Sequence, residues 1–210
     1  MSQAIFPACF FPPIPWYAAA MRHSHIVLDG EAPYRKQQLN SRSYIKVSNR
    51  VLPLTLPIEK RDHHDPIIEK RVSYAEKWPH QHWMSLISAY THSPYFEYYR
   101  DELQQLYQSR PASLPDWLLK STQWGLSCIG WTGTLQWSRQ VQNEKLIAAK
   151  DYRNEFDAKR KKLPSWFIPE PYPQVFGGFS AGLGVMDLIF NLGPEARGYL
   201  ARNVKQGALD

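Results

Sequence analysis

The spacing of apolar positions changes along the chain, and the change predicts its organisation. Phe10 to Pro15 reads as extended backbone, because a residue before proline is pushed out of the helical region. Trp16 to Arg22 is Ala-rich and predicts a short helix. His25 to Asp29 is a compact apolar run ending at the turn signal Asp29-Gly30, and predicts a strand. Tyr44 to Val47 predicts another. Leu52, Leu54 and Leu56 alternate with Pro53, Thr55 and Pro57; period two indicates a strand, and the prolines put it at a sheet edge or strand end. Ile67 to Tyr74 is a further strand candidate.

From Trp78 the period becomes helical. Trp83, Leu86, Ile87 and Tyr90 fall at i, i+3, i+4 and i+7, and Ser93-Pro94 ends that helix. Leu103, Leu106 and Tyr107 continue the pattern in a second helix after Tyr98. Ser113 is a candidate N-cap for a third helix with its apolar face at Trp117, Leu118, Ser121, Trp124 and Cys128, closed near Gly130. Thr132 to Val141 is a strand candidate. The charged stretch 143–163 is poorly patterned and leaves helix and mobile segment both open. Val185 to Phe190 predicts a helix stopped by Gly193-Pro194, and Glu195 to Val204 a short one after it. The expected class is therefore α+β: a β-rich N-terminal third with a mixed sheet, a helical middle and C-terminal helices. No internal repeat or linker-like composition divides residues 1–210, so one domain is expected.

Composition narrows the possibilities. The chain has 210 residues, 43% hydrophobic and 14% aromatic, which excludes a disordered chain because the rings supply apolar area that offsets chain entropy. No stretch approaches the ~18 to 20 uninterrupted apolar residues of a membrane span. The two cysteines, Cys9 and Cys128, are isolated among apolar residues, so they supply neither a zinc-ligand spacing nor a disulfide framework and read as small core side chains. Residues 1–15 lack a basic start and carry Pro7, Pro12, Pro13 and Pro15, which oppose the helical core of a secretory signal; a cytoplasmic location follows as the default. Lys plus Arg number 25 against 19 Asp plus Glu, a net charge of +6 that favours anionic partners. Much of the excess lies at Lys159 to Lys162, with Lys150 and Arg153 upstream. No nucleic-acid-binding motif accompanies that run, so nucleic acid is not an expected partner.

Few motifs carry chemistry. The glycine-dense stretch 177–184 precedes a helix, but no Gly-Lys-Ser/Thr follows and the third Gly of a dinucleotide fingerprint is missing, so it reads as a structural loop. His80 and His82 would share a face only on a strand, and a helix there argues against a metal site. His82 beside Trp83 is a candidate proton shuttle, since imidazole titrates near neutral pH. Ser180 lacks a nucleophile elbow, and Cys128 lacks a cationic neighbour in sequence. Tyr34, Lys36, Gln37 and Arg42 make a donor-rich segment suited to phosphate or carboxylate. The aromatic run Tyr90, Tyr95, Phe96, Tyr98 and Tyr99 reads either as a core corner or as a stacking surface. Asp187 and Asn191, four apart on an apolar helix, share one side, and such a carboxylate must be paired or face a cleft.

Ordered segments resemble the WbqC-like family: Phe10-Phe11-Pro12-Pro13-Ile14-Pro15-Trp16-Tyr17; Tyr34-x-Lys36-Gln37 with Arg42; Leu54-x-Leu56-Pro57-Ile58 with Lys60; His82-Trp83 through Tyr90 and on to Tyr99; Tyr172-x-Gln174-Val175-Phe176; and Asp187 to Ala196. Asn40 and Ser41 stand where the family pattern has Arg and Asn, and Gly184 where Ser is usual, which bears on the polar role expected of 40–42. Members are named from gene clusters for O-antigen and other surface polysaccharides, and the resemblance brings no settled reaction. Polar, reactive groups set in otherwise aromatic surroundings make the expected activity that of a transferase acting on a sugar nucleotide or another activated anionic metabolite. His82 and Asp187 are the candidate catalytic residues, and Lys36, Gln37, Arg42, Tyr90 and Asn191 the candidate substrate-binding residues. The alternative is a non-catalytic module that binds carbohydrate or protein through the Tyr90 to Tyr99 surface. No motif specifies a cofactor, a metal or an oligomeric state.

Overall fold

Gln3–Pro7 (β1) lies inside a four-stranded sheet, with Ala4 and Phe6 wholly buried. The structure, a computed structural model, describes residues 2–59, 65–156, 158 and 162–209. β1 pairs in parallel with His25–Asp29 (β2) on one side and Lys150–Asp151 (β6) on the other, and β2 pairs in parallel with Thr134–Trp137 (β5). Ile26, Val27 and Leu28 of β2 are fully buried, as expected of a parallel strand covered on both faces. The crossover from β1 to β2 is Ile14–Ala20 (α1), seven residues that are all buried, with Pro15 in its first turn where a missing N–H costs little.

A separate antiparallel hairpin joins Arg42–Val47 (β3) to Arg50–Thr55 (β4). β4 pairs with β3 alone, so Pro53 sits on an edge as its period-two context predicts. The helical middle is Trp78–Tyr90 (α2), Phe96–Ser109 (α3) and Leu114–Cys128 (α4). Ser113 caps α4 by accepting from the Asp116 amide at 3.2 Å. Asn143–Ile147 (α5) is a single short turn before β6. Val185–Leu192 (α6) is buried along nearly its whole length, and Ala196–Arg202 (α7) follows. Gly193 ends α6 at φ +52°, where a Cβ would also stand 2.5 Å from the Tyr95 ring.

The α+β class holds, with the strands divided between a parallel sheet and an antiparallel hairpin. Two local expectations change. Ile67 to Tyr74 is not a strand: residues 67–69 form a 3-10 turn, and 71 and 72 make only isolated bridges, to Ser113 and Ile58. β1 itself was not expected, because its apolar run merges with the Pro-rich segment behind it. That segment is tightly held. Phe11, a non-glycine at φ +39°, donates its amide to Ser121 Oγ at 3.2 Å and accepts from Ser43 Oγ at 2.9 Å. Such backbone costs of order 1–3 kcal/mol and persists only where its surroundings over-determine it.

Candidate functional site

Asp187 is 1% exposed in α6 and its carboxylate is fully engaged. Oδ1 accepts from Tyr90 Oη at 2.9 Å; Oδ2 accepts from Tyr172 Oη at 2.6 Å and from Gln174 Nε2 at 2.9 Å. Burial pushes the carboxyl up from its usual range, opposed by those three donors and by the Lys46 charge. The phenols of Tyr90 and Tyr172 are driven well above their ordinary value by the same burial and by the adjacent carboxylate. Gln174 extends the cluster: its Oε1 accepts from Lys46 Nζ at 3.1 Å. Lys46 Nζ also donates to the carbonyls of Phe176 (2.8 Å), Gly177 (3.0 Å) and Gly178. The glycine-dense stretch is thus a loop clamped from within by a buried ammonium. Asn191 Nδ2 bonds the Asp187 carbonyl at 2.8 Å, one turn back on the same helix. Gly184 closes the loop against β3, where a Cβ would collide with Ser43 Oγ.

His82 lies elsewhere, in α2, at 7% exposure. Trp78, Phe10 and Tyr107 surround the imidazole at ring-centroid distances of 5.0, 6.2 and 6.0 Å. Burial lowers its pKa from 6.5 to about 4, against a backbone hydrogen bond to Thr55 that favours the charged form, so the ring is neutral at pH 7. Its Nδ1 has no partner among the described residues. Arg42 reaches the same residue from β3, with Nε donating to Thr55 Oγ1 at 3.2 Å. His82 and Arg42 therefore meet at Thr55, whereas Asp187, Tyr90 and Asn191 form a second group around α6. In the aromatic run Tyr90, Phe96 and Tyr99 are buried and build the corner between α2 and α3; Tyr98 alone is strongly exposed, at 80%. Most rings of the run are core, which leaves Tyr98 as the one strongly exposed ring for a stacking surface. The thiols are inert by environment: burial raises Cys9, and raises Cys128 to about 12.

A cleft of about 650 Å³ opens over the carboxyl ends of β1 and β2. In parallel α/β sheets ligands bind outside the carboxyl ends of the strands. β2 ends in Asp29, whose Oδ1 accepts from the amides of Glu31 (3.1 Å) and Ala32 (3.2 Å). Its Oδ2 stands 3.5 Å from the Arg153 guanidinium, which Asp151 also grips, with Nη2 to Oδ2 at 2.7 Å. The facing wall is the donor-rich segment. Arg35, Gln38 and Asn40 line the cleft, and the exposed Lys36 and Gln37 lie between them in sequence, Gln37 turning the chain at φ +61°. The Phe10 amide fixes this wall by donating to the Leu39 carbonyl at 2.8 Å. Asn40 is 7% exposed, and its Oδ1 is buried without a partner among the described residues. Neither His82 nor Asp187 lines this cleft. Of the basic run, 159–161 lie outside the described residues, as does Lys60.

The cleft-lining residues Asp29, Arg35, Gln38, Asn40, Arg153 and Asn154 were absent from the candidates read off the sequence, although 34–42 was marked as a binding segment. Reading Gln3–Pro7 as a strand would have found them: strand, helix and strand over residues 3–29 define a parallel pair, and their carboxyl ends define where to look.

A mixed α+β protein with a polar, cation-bearing cleft over parallel strand ends is the class this geometry defines. The chain belongs to the WbqC-like protein family, whose model matches residues 8–162. That span contains every residue lining the cleft except Pro7, and it leaves Asp187 and Asn191 outside. The chain is 24% identical to the uncharacterized protein Rv1507c of Mycobacterium tuberculosis over 89% of its own length and 93% of the relative's. No solved structure matches it significantly. Among the described residues, no helix is long and apolar enough to cross a membrane.

Proposed function

We propose that this WbqC-like protein is a transferase of the cytoplasm whose single domain binds an activated anionic metabolite of the sugar-nucleotide class in the cleft over β1 and β2. The observation that carries the reading is a ligand-sized hollow with Arg35, in no ion pair among the described residues, on the same wall as the Asn40 amide. Arg35 and Arg153 would hold phosphate oxygens through the planar fork that suits them. Asp29, fixed by two backbone amides, holds Arg153 in place. Lys36 and Gln37 reach the ligand from the rim. The neutral His82 and the saturated Asp187 support this site from behind: His82 packs on Phe10, whose amide fixes the wall, and Asp187 steadies the loop that closes on β3.

Thermal shift with UDP-glucose, UDP and inorganic pyrophosphate tests the reading. UDP-glucose is expected to raise the Tm of the wild type, and Arg35→Ala and Asn40→Ala to abolish the rise while starting from the same Tm. Lack of stabilisation by any of the three, or an undiminished rise in both variants, would remove the cleft as the site.

A further inference from the structure

A second recess, of about 380 Å³, lies between α2 and the C-terminal end of α3, and it shares no lining residue with the cleft. Its floor is aromatic. Trp83 is half-buried and its ring is held by Phe96 and Tyr107, each at a centroid distance of 6.4 Å. Tyr107 is 4% exposed and clamped by Trp117 at 5.4 Å and by Phe11 stacked at 6.3 Å, yet its hydroxyl has no partner among the described residues. A phenol oxygen sealed in this way is out of a ligand's reach, so Tyr107 contributes the ring that supports Trp83 and not a hydrogen bond.

The walls are polar and positive. Gln104 and Gln108, four apart on α3, present two amides to one side. Lys77 and Arg110 line opposite ends of the sequence that forms the recess, with His80 beside Lys77. Arg110 is in the left-handed region at φ +44°, and its guanidinium lies 4.8 Å from the centre of the Tyr74 ring, which holds it against the recess. No carboxylate lines the recess, and among the described residues none of Lys77, His80 and Arg110 forms an ion pair. The occupant must therefore bring the negative charge, a face apolar enough to lie on an indole, and hydroxyls that both give and take hydrogen bonds from amides.

We propose that this recess binds an anionic saccharide, with a pyranose face on Trp83, ring hydroxyls on Gln104 and Gln108, and the acid group on Arg110 and Lys77. The site is independent of the cleft: a saccharide held here is neither the group transferred there nor its carrier, and either assignment stands without the other.

Titration calorimetry on the full-length protein, with trigalacturonate as probe, maltotriose as the neutral sugar and inorganic phosphate as the bare anion, decides it. Trigalacturonate is expected to bind saturably and more tightly than either control. Arg110→Gln, a change at an exposed side chain, should erase the preference over maltotriose. Trp83→Ala should weaken binding about tenfold and Gln108→Leu about fivefold. Gln108→Leu is a change at an exposed side chain, so it reports on the amide even if Trp83→Ala fails to fold. Trigalacturonate binding no better than maltotriose, unchanged affinity in Arg110→Gln and Gln108→Leu, or phosphate competing at equal affinity would overturn the proposal. Loss of the UDP-glucose response at the cleft would leave it standing.

Discussion

The cluster around Asp187 and the cleft beside Asp29 both set carboxylates, cations and amides into a largely apolar protein, yet they treat hydrogen-bonding atoms differently. Around Asp187 every strong acceptor is taken: two phenols and an amide on the carboxylate, and an amide oxygen and three carbonyls on the Lys46 ammonium. Gln174 bridges the two charges, so neither is buried without compensation. In the cleft, Asp29 and Arg153 are fixed, but the wall opposite leaves Asn40 Oδ1 unpaired. A saturated network holds a fold together and has no valence left for a ligand. An open one sacrifices some stability and retains the capacity to bind.

The contrast is sharpest under mutation. Asp187→Ala should lower the free energy of unfolding by about 3–5 kcal/mol, because it strands two phenols, an amide and a nearby ammonium inside the protein. Urea denaturation measures it, and a loss below about 1 kcal/mol would show that the network is solvated after all. The second test uses pH. His82 has a folded pKa of about 4 against 6.5 unfolded, so the unfolded chain takes up a proton that the folded one refuses. Stability is fully present above pH 6.5 and falls as pH drops toward 4, by about 3 kcal/mol over that window for this group. His23, also lowered by burial and by Lys150 and Arg22, adds to the same decline, so His82→Gln should flatten the denaturation midpoint against pH without abolishing its slope. A slope unchanged in His82→Gln would place that imidazole in water.

Smaller effects follow. Tyr172→Phe removes one donor from a charged acceptor and should cost about 1.5–3 kcal/mol, with the carboxylate of Asp187 keeping its other two partners. Asn40→Leu, by contrast, should change stability by no more than about 0.5 kcal/mol in either direction, since no hydrogen bond is lost, while the thermal response to UDP-glucose disappears. Equal destabilisation by Tyr172→Phe and Asn40→Leu would erase the distinction between the two clusters.

Legibility in the sequence tracked period and punctuation. α2, α3, α4 and α6 were readable because apolar residues recur every three to four positions and Ser93-Pro94, Ser113 and Gly193-Pro194 mark their limits. β4 was readable from Leu52, Leu54 and Leu56, and β3 from the run Tyr44 to Val47, but not their pairing as a hairpin. β1 was not, since three buried residues without alternation look the same as the apolar loop that follows, and β6 is only two residues long. Without β1 the parallel pair was invisible, and with it the cleft. Asp187 was expected to be either paired or facing a cleft; the partners that answer the question, Tyr172, Gln174 and Lys46, lie 15, 13 and 141 positions away, and nothing in local pattern links them. Asn40 stood out only as a departure from the resembling pattern, and its unpaired oxygen emerges from three-dimensional packing alone.

The position of β1 also governs how the sheet assembles. Its neighbours are drawn from residues 25–29 and 150–151, so one flank closes within a short crossover and the other waits for a segment some 145 positions downstream. Closing so long a loop is slow compared with local helix formation. During synthesis, α1 and β2 would gather on β1 early, leaving its second edge bare until β6 emerges from the ribosome, an interval in which that strand is open to pairing with another nascent copy.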